Sequence, residues 1–366
     1  MTHWLMNERS ADGDRAPHVA RIAGVGRRLP ATTRTTDELM ASTRHRTRFD
    51  LERLTGIRER RVSVGDEDSL TLAADAAAEC LARAGRQADE IDVVVSCSIT
   101  KYRDGLVQHL EPPLSMAVAQ RIGAPGAMTF DLGNACAGTL TGVFVVNDWI
   151  RQGAIDRALV VSGEYISQLG VNAARHVRGI VSRELASLTL GDAGAAVLVE
   201  RASPGTPGIG FAGFTTVADH SRLCLAYPAA HEPGARMFTK SRAIQRVAIA
   251  DTPALLREAL DATGLTLGEI DHVIAHQTSA RAIRSGLKAV AESLGSAPRN
   301  PPVITVDRYG NTASTTHVVA LVEELEAGHV RPGDRIALVA LASGLEIGVV
   351  LFTADEELVG SHGHDR

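Results

Sequence analysis

Short apolar runs alternate along the chain with longer stretches in which apolar residues recur at helical spacing. The apolar runs predict strands at Val93–Val95, Ala158–Val161, Val303–Val306 and Ile336–Leu341. Alternation of strands with helices is typical of α/β proteins, whose sheets are covered by helices on both faces. We therefore predict mixed, mostly parallel sheets.

The clearest helical stretch is SLTLAADAAAECLARAG, which begins at Ser69 and ends at Gly85. Ser69 is the expected N-cap, because its hydroxyl can accept a hydrogen bond from the first turn. Gly85 is the expected C-terminal stop, because glycine adopts the left-handed conformation that ends many helices.

The sequence also repeats itself. LARAGRQADEIDVVVSCSIT resembles LDATGLTLGEIDHVIAHQTS, with Asp92 matching Asp271 at an offset of 271 − 92 = 179. FDLGNACAGTL parallels VDRYGNTASTT, with Asn134 matching Asn311 at an offset of 311 − 134 = 177. GAIDRALVVSGE parallels RPGDRIALVALASGLE further on. Matched segments in the same order predict a duplicated α/β unit.

The duplication predicts where the halves meet. The Gly/Pro-rich segment RASPGTPGIG lies between the copies, so we predict an N-terminal half at 18–206 and a C-terminal half at 207–356. Residues 1–17 and 357–366 are expected to be loose segments. Two related halves leave a cleft between them where strand ends and helix N-termini meet, and pockets are found there.

Three side chains are expected to converge on that cleft. Cys136 and Asn311 occupy nearly equivalent strand-to-helix corners of the two copies, and His276 follows the second copy's EIDHVIA strand. A cysteine at a helix N-terminus faces unpaired N–H groups that favour thiolate over thiol. A histidine and an asparagine can both donate hydrogen bonds to a developing oxyanion, and the flexible Ser343-Gly344 adds a candidate backbone donor.

Each residue alone has an ordinary structural interpretation. A lone cysteine is usually a packing residue, a buried histidine is usually a satisfied core residue, and Asn311 in YGNTAS would be a turn residue. Cys97, the repeat partner of His276 (276 − 179 = 97), is interpreted as structural. The joint placement by the duplication favours catalysis. His272 and His276 lack a third ligand in the sequence, which disfavours a metal site.

Composition narrows the classes of function. The formal charge of −5 over 366 residues gives no overall attraction to nucleic acid or membrane, and no apolar run is long enough to span a bilayer. The four cysteines show no paired spacing and the start of the chain lacks a signal peptide, so we expect a cytoplasmic protein. One segment, TRHRTRFDLERLTGIRERR, is basic: it is either a solvated surface or a contact for an anionic partner.

These features resemble the β-ketoacyl-[acyl-carrier-protein] synthase III group of condensing enzymes in the thiolase superfamily. The resemblance spans about four-fifths of the chain. The segments that carry it are TGIRERR (55–61), DLGNACAG (131–138), LTLGDAGAAVLVE (188–200), AHQTS (275–279), YGNTAS (309–314) and GDRIALVALASGLEIG (333–348).

The resemblance implies a five-layer αβαβα fold, a homodimer, and a Cys-His-Asn triad formed by Cys136, His276 and Asn311. Cys136 would take an acyl group from coenzyme A or an acyl carrier protein, with no further cofactor. His276 and Asn311 would bind the second thioester, and the backbone N–H groups of Cys136 and Gly344 would form the oxyanion hole. Contacts to coenzyme A or the carrier would come from the basic segment, at Arg44, Arg46, Arg48 and Arg58.

One departure points to a subgroup. The family's fatty-acid members read His-Gln-Ala-Asn where this chain reads His276-Gln277-Thr278-Ser279. That form, together with HLEPP and ASGLE, resembles the acyl-coenzyme A condensing enzymes of olefin biosynthesis. In those enzymes a glutamate about 25 residues before the cysteine enters the site from the partner subunit. Glu111 lies at that distance (136 − 111 = 25), and it is either that acid or a surface residue at a helix start.

The sequence therefore predicts an acyltransferase that joins two acyl thioesters through Cys136 by Claisen condensation. Two alternatives stay open: transfer of the Cys-bound acyl group to a hydroxyl or amine, and a non-catalytic subunit of a heterodimer. Acyltransferases of this fold often lack the asparagine, so the presence of Asn311 favours condensation. Non-catalytic subunits commonly lack the cysteine, so the presence of Cys136 disfavours that alternative.

Overall fold

Two sheets with a helical layer between them form the centre of the fold. The computed structural model describes residues 2–5, 18–45, 47 and 49–362. The strands of these residues, in chain order, are β1 (Thr2–Leu5), β2 (Ala20–Arg28), β3 (Thr33–Thr35), β4 (Glu59–Arg61), β5 (Val93–Ser96), β6 (Tyr102–Arg103), β7 (Val107–Gln108), β8 (Met128–Asp131), β9 (Arg157–Glu164), β10 (Ala193–Arg201), β11 (Ile209–Thr216), β12 (Cys224–Pro228), β13 (Ala235–Thr239), β14 (His272–Ala275), β15 (Arg335–Ala342) and β16 (Glu346–Thr353). The α-helices are α1 (Thr36–Ala41), α2 (Leu51–Thr55), α3 (Ser69–Ala84), α4 (Leu114–Ile122), α5 (Gly138–Arg151), α6 (Ser167–His176), α7 (Ser241–Thr263), α8 (Ala280–Leu294), α9 (Val306–Tyr309), α10 (Thr316–Glu326) and α11 (Glu356–Gly360).

The two large sheets have strand orders β2-β10-β9-β5-β8 and β1-β11-β16-β15-β14. Apart from β1, the second sheet is drawn wholly from residues 209–353, after the Gly/Pro-rich segment. Within the described residues, β5 pairs in parallel with β8 and β9, β14 pairs in parallel with β15, and the other five pairings of these sheets are antiparallel. The sheets are thus mixed, but parallel pairing is the minority. One reason is that β15 returns directly into β16 through a short turn, which forces antiparallel pairing.

Five layers result from the way the helices cover these sheets. The outer face of the first sheet is covered by α3 and α4, and the outer face of the second by α7 and α8. Between the sheets lie α5 and α10, which pack against the inner faces of both. This αβαβα order confirms the predicted five-layer fold, and the buried inner layer holds the two helices that follow the duplicated corners.

Helix α3 begins at Ser69, one residue earlier than predicted. Asp68 is the N-cap, and its carboxylate accepts a hydrogen bond from the Thr71 N–H at 2.8 Å. Ser69 is instead the first helical residue. Gly85 ends the helix with φ of 62°, as predicted.

The prediction of a strand at Val303–Val306 is wrong. Residues 303–305 form no strand, and α9 begins at Val306. Their backbone is held by the side chain of Gln277, whose amide donates to the Val303 carbonyl at 3.0 Å and accepts from the N–H groups of Thr305 and Val306 at 2.9 and 3.2 Å. A buried side chain therefore takes the place of a neighbouring strand, and β14 remains the edge of its sheet.

Replacing Gln277 with alanine is expected to lower the free energy of unfolding by about 3 kcal/mol. Gln277 is 1% exposed, so its removal leaves buried backbone donors and acceptors of the 303–306 segment without partners. Denaturant unfolding compared with the exposed Gln120→Ala variant measures the loss. Equal stability of the two variants would contradict this role for Gln277.

The end of the chain is also more ordered than predicted. Residues 356–360 form α11, and both Leu358 and His362 are buried. Asp355 and Glu357 form ion pairs with Arg21 of β2, which hold this helix against the first sheet. Residues 357–362 are therefore packed, and residues 2–5 form β1, which pairs with β11, so neither stretch is loose as predicted. Residues 1, 6–17 and 363–366 lie outside the described residues.

Candidate active site

Cys136 lies in the corner between β8 and α5. The corner is a 3₁₀ turn, Ala135–Ala137, in which Ala135 adopts the left-handed conformation with φ of 43°. Such a φ is uncommon for alanine and marks a tightly constrained turn. The Cys136 side chain packs against a small apolar cluster made of Ile166, Leu190, Ala313, Leu169 and Met237. The thiol therefore lies in an apolar pocket.

The second copy builds the same corner. A 3₁₀ turn, Ala313–Thr315, precedes α10, and Ala313 has φ of 52°. The two turns pack against each other between the sheets. Matching the strained alanines gives an offset of 313 − 135 = 178, so the structural counterpart of Cys136 is Ser314. The sequence match through the shared Gly-Asn dipeptide is one residue out of register here, and Asn311 lies just before the corner.

The side chain of Asn311 is oriented by its own turn. Its Oδ1 accepts a hydrogen bond from the Ala313 N–H at 3.0 Å, which leaves the Nδ2 group to donate. Its backbone donates to the Thr189 carbonyl at 2.8 Å and accepts from the Gly191 N–H at 3.1 Å. Gly310 precedes it with φ of 68°, and a Cβ there would lie 2.7 Å from the Thr189 carbonyl oxygen. Glycine is therefore required for the close approach that fixes Asn311.

His276 follows β14 and is buried beside the start of α10. Its backbone N–H donates to the Val339 carbonyl at 2.9 Å, and its ring centroid lies 5.9 Å from that of His317. The Nε2 of His317 is 3.0 Å from the same carbonyl oxygen, so it carries the proton. Burial, followed by the neighbouring His317, lowers the pKa of His276 to about 3, and burial lowers the pKa of His317 to about 4. Both rings are neutral at pH 7.

The segment 311–317 brings the three predicted residues to one region. Cys136 packs against the cluster that contains Ala313, and the Ala313 N–H donates a hydrogen bond to Asn311. The Gln277 N–H, next to His276, donates to Thr316 Oγ1 at 3.3 Å. The structure thus places Cys136, from the first half, and His276 and Asn311, from the second, around the start of α10.

Lowering the pH from 7.5 to 5 is expected to destabilise the wild-type protein relative to a His317→Gln variant. An unfolded histidine has a pKa near 6.5, so the unfolded chain binds a proton first as the pH falls below 6.5, and folding loses free energy. At pH 5 the wild type should have lost about 2 kcal/mol more than the variant. Thermal unfolding across this range measures it, with the exposed His329→Gln as control. A pH-independent difference in melting temperature would contradict the neutral, buried state.

The Cys136 thiol differs from the sequence expectation. Burial raises its pKa, and the nearby Cys224 thiol and Glu164 carboxyl act in the same direction. Desolvation therefore outweighs the favourable helix N-terminus, and the resting residue is a thiol. Cys224 lies at the start of β12, and no sequence pattern indicated that it would lie near Cys136.

Glu164 is a buried acid that sequence reasoning missed. It ends β9 and accepts hydrogen bonds from the Ile99 N–H at 2.9 Å, the Thr100 N–H at 3.3 Å and the hydroxyls of Ser162 and Ser314. Burial raises its pKa. Because Ser314 belongs to the second corner, Glu164 connects the two halves beneath the site. An acid ending an otherwise apolar strand, ALVVSGE, was the available signal.

The glycines after Cys136 serve packing. A Cβ at Gly138 would lie 2.7 Å from the Cys97 carbonyl oxygen, and one at Gly142 would lie 2.8 Å from the Cys97 sulfur. Cys97 is buried, as its structural interpretation requires. Gly344 has φ of 136° and lies in the turn between β15 and β16, two strands that the Cys136 turn contacts.

Arg58 lines an open cavity of about 500 Å³ beside the site. Its guanidinium donates to the Asp307 carboxylate at 2.9 Å. Arg53 and Arg284 line the same cavity, as does Ala280, four residues after His276. The cavity thus opens next to the loops that carry His276 and Asn311.

Arg44, another predicted contact, is not brought to this cavity. The Arg44 backbone N–H donates to the Ala174 carbonyl of α6 at 2.9 Å, and Arg44 does not line the cavity. Arg46 and Arg48 lie outside the described residues.

Glu111 is exposed and precedes α4. Exposed apolar side chains accompany it: Leu110 is 78% exposed, and Val107, Met116 and Met128 are about half exposed, between 49% and 55%. Met128 begins β8, the edge strand of the first sheet. Glu111 is therefore near exposed apolar side chains in the sequence, and the helix it precedes, α4, packs beside the edge strand β8.

Two segments that match none of the motifs named above lie against the apolar cluster around Cys136. SQLGVNAARHVRGIVSRELAS forms α6 and the turn before β10, and HSRLCLAYPAAHEPGARMF forms the β12–β13 hairpin. Leu169 and Met237, one from each segment, line the apolar cluster around Cys136. Ion pairs between Arg236 and Glu184 join the segments at 2.8 Å.

Neither a metal site nor a membrane span is found in the described structure. His272 contacts Asp334 at 3.1 Å, and no group of histidines, cysteines and acids in the described residues could hold a metal ion. Across the same residues, no helix is both long and apolar enough to cross a bilayer.

This fold and site define a condensing enzyme of the thiolase superfamily. Comparisons with known proteins identify the branch. The family model described as 3-oxoacyl-[acyl-carrier-protein (ACP)] synthase III matches residues 130–219, and the model of its C-terminal region matches residues 260–354. The β-ketoacyl-[acyl-carrier-protein] synthase III of Symbiobacterium thermophilum is 32% identical over 329 residues, covering 83% of this chain and 92% of that protein. That of Erythrobacter litoralis is 29% identical over 336 residues, covering 91% and 98%.

Solved structures agree with this assignment. The 3-oxoacyl-[acyl-carrier-protein] synthase III of Aquifex aeolicus superposes with a TM-score of 0.77 at 26% identity, over 92% of this chain and 100% of that one. A variant of Xanthomonas campestris OleA superposes with a TM-score of 0.78 at 25% identity, over 92% and 98%. The chain belongs to the 3-oxoacyl-[acyl-carrier-protein] synthase III family, whose members carry out Claisen condensation.

Proposed function

We propose that this protein condenses two acyl-coenzyme A thioesters through an acyl group carried on Cys136. The observation that carries the proposal is the position of Cys136, at the N-terminus of α5 in an apolar pocket and packed against the turn that orients Asn311. An apolar pocket suits the hydrocarbon part of an acyl group. The proposed reaction requires no cofactor beyond the thioester substrates.

In the first half-reaction the Cys136 sulfur attacks the thioester carbonyl. The bond from the acyl carbon to sulfur forms, the bond to the coenzyme A sulfur breaks, and the thiol proton goes to the departing thiolate. The backbone N–H groups of Cys136 and Gly344 would hold the oxyanion of the intermediate. A high thiol pKa makes removal of this proton part of the barrier.

In the second half-reaction the enolate of another thioester attacks the Cys136-bound carbonyl. The carbon–carbon bond forms, the carbon–sulfur bond breaks, and the Cys136 thiolate takes up a proton. A neutral His276 and the Asn311 Nδ2 group would both donate hydrogen bonds to the enolate oxygen. The lowered pKa of His276 supports this role, because a neutral ring can donate without carrying charge into the apolar pocket.

The open cavity beside the site suits the polar arm of coenzyme A. Arg53, Arg58 and Arg284 present cations there, and these would meet phosphate groups while the acyl end reaches Cys136. Three acids, Asp50, Glu52 and Asp307, line the same cavity, and Asp307 pairs with Arg58, so the formal charge of the lining is balanced and the arginines would act through directed hydrogen bonds. A carrier protein would present the same phosphopantetheine arm at the same mouth.

We further propose a homodimer in which Glu111 of the partner subunit removes the α-proton of the second thioester. The exposed apolar side chains around Leu110 and the free edge of β8 suit a subunit contact. Glu111 is exposed in the described protomer and is not buried in the active site of that protomer. A role in catalysis would therefore place it in the active site of the partner subunit. A carboxylate base would make the enolate without loss of carbon dioxide.

Purified protein with an acyl-coenzyme A alone is expected to form a 3-oxoacyl product with a new carbon–carbon bond. Glu111→Gln should lower this rate by about 10²-fold or more, because it keeps the size of the side chain and removes the base. Product mass spectrometry measures both, with Asp104→Asn, an exposed acid in the same segment, as control.

The alternatives give distinct results in the same assay. Product only in the presence of a malonyl-thioester would contradict proton removal by Glu111, while keeping the condensation. A product bearing the acyl group on oxygen or nitrogen, or no turnover without an unlike subunit, would contradict the condensation itself.

A further inference from the structure

Arg60 is a buried cation with uncharged partners. Its residue is 1% exposed, and its Nη2 donates to Thr36 Oγ1 and to the Leu188 carbonyl, both at 3.1 Å. Its Nε and Nη1 groups are buried and have no hydrogen-bond partner in the described structure. A guanidinium held away from water in this way is strongly unfavourable unless a counter-charge joins it.

The charged group that acts on Arg60 is another cation. Burial, followed by Arg34, lowers the pKa of Arg60 to about 10. Even so, the group is protonated at pH 7. Two neighbouring arginines, one of them fully buried, create a positive electrostatic potential. This potential favours binding of an anion.

Both arginines line one cavity of about 170 Å³. Ser63 also lines it, and its hydroxyl is buried without a partner in the described residues. The rest of the wall is partly apolar, with Val62 and Leu190 among the lining residues. The cavity thus combines unsatisfied donors with apolar surface, the composition of a small-ligand site.

We propose that this cavity binds a short-chain carboxylate, with its charged end at Arg60, Arg34 and Ser63 and its hydrocarbon end on the apolar wall. A carboxylate accepts hydrogen bonds only, so it suits the free N–H and O–H donors. The volume exceeds what a single water needs and suits a ligand of a few heavy atoms. This cavity shares Leu190, and no other lining residue, with the apolar cluster around Cys136.

The test measures butyrate binding to the full-length protein in a chloride-free buffer, by isothermal titration calorimetry and thermal unfolding. Saturable binding with a rise in melting temperature is expected for the wild type. Arg34→Gln and Ser63→Val leave the hydrogen bonds of Arg60 in place, and each should weaken butyrate binding about tenfold or more. Arg28→Gln removes one charge outside the cavity, at a side chain 47% exposed, and should bind butyrate as the wild type does.

Several results would overturn the proposal. The first is the absence of saturable butyrate binding to the wild type, which is the result expected if the cavity holds only water. Equal affinity in Arg34→Gln, Ser63→Val and Arg28→Gln would locate the site elsewhere. Equal binding of chloride or inorganic phosphate in the wild type would show an unspecific anion site. Because the readout is binding of a free carboxylate, it is independent of the condensation reaction.

Discussion

Replacing Cys136 with alanine is expected to abolish covalent acylation and to lower condensation by roughly 10⁴-fold or more. The Cys136 thiol can form a thioester with the acyl group, whereas alanine fills the pocket without a nucleophile. Because the side chain packs against Ala313 and Leu190 in an apolar cluster, alanine should leave the fold intact. Intact-mass spectrometry after incubation with a panel of acyl-coenzyme A thioesters measures the acyl adduct.

Cys224→Ala is the matched control for this experiment. Cys224 is a second partly exposed thiol near Cys136, at the start of the covering hairpin. This variant should still gain one acyl group. An acyl adduct on Cys136→Ala, or its loss in Cys224→Ala alone, would assign the nucleophile to Cys224 and contradict the proposed mechanism.

The duplicated pattern made the fold and the general position of the site predictable. The repeated strand-to-helix corner relates Cys136 to the segment of Asn311, and the strand before His276 is repeated as well. Repeats survive in sequence because each half must bury the same faces against the same inner layer. The alternation of inner and outer positions on β15, such as Leu338 and Ala337, follows from this requirement.

What the sequence did not predict depends on side chains that act over long separations. Nothing near Val303 indicates that Gln277 will hold its backbone in place of a strand. The partners of Glu164 include Ser314, 150 residues away, so their bond is invisible to local patterns. The one-residue shift that pairs Cys136 with Ser314 becomes visible only through the strained backbone of Ala313 and its counterpart.

The pKa of the Cys136 thiol could also not be predicted from local sequence. A helix N-terminus predicts a lowered thiol pKa, and that contribution is readable from the sequence. Desolvation is not readable, because it depends on how closely Leu169 and Met237 cover the pocket. In the folded protein the covering segments raise the pKa above the ordinary value. The same cover excludes water from the acyl group that Cys136 would carry.

Replacing Asn311 with aspartate is expected to leave acylation of Cys136 intact and to lower condensation by about 10²- to 10³-fold. The aspartate keeps an oxygen that can accept from the Ala313 N–H, now 3.0 Å from Asn311 Oδ1, so the turn and the neighbouring Cys136 pocket should persist. It loses the Nδ2 donor and places negative charge where the enolate oxygen develops. Single-turnover kinetics with pre-acylated enzyme separate the two half-reactions, and His276→Ala should show the same separation. If Asn311→Asp slowed acylation as much as condensation, Asn311 would act on the Cys136 corner as a whole, and its assignment to the second thioester would be wrong.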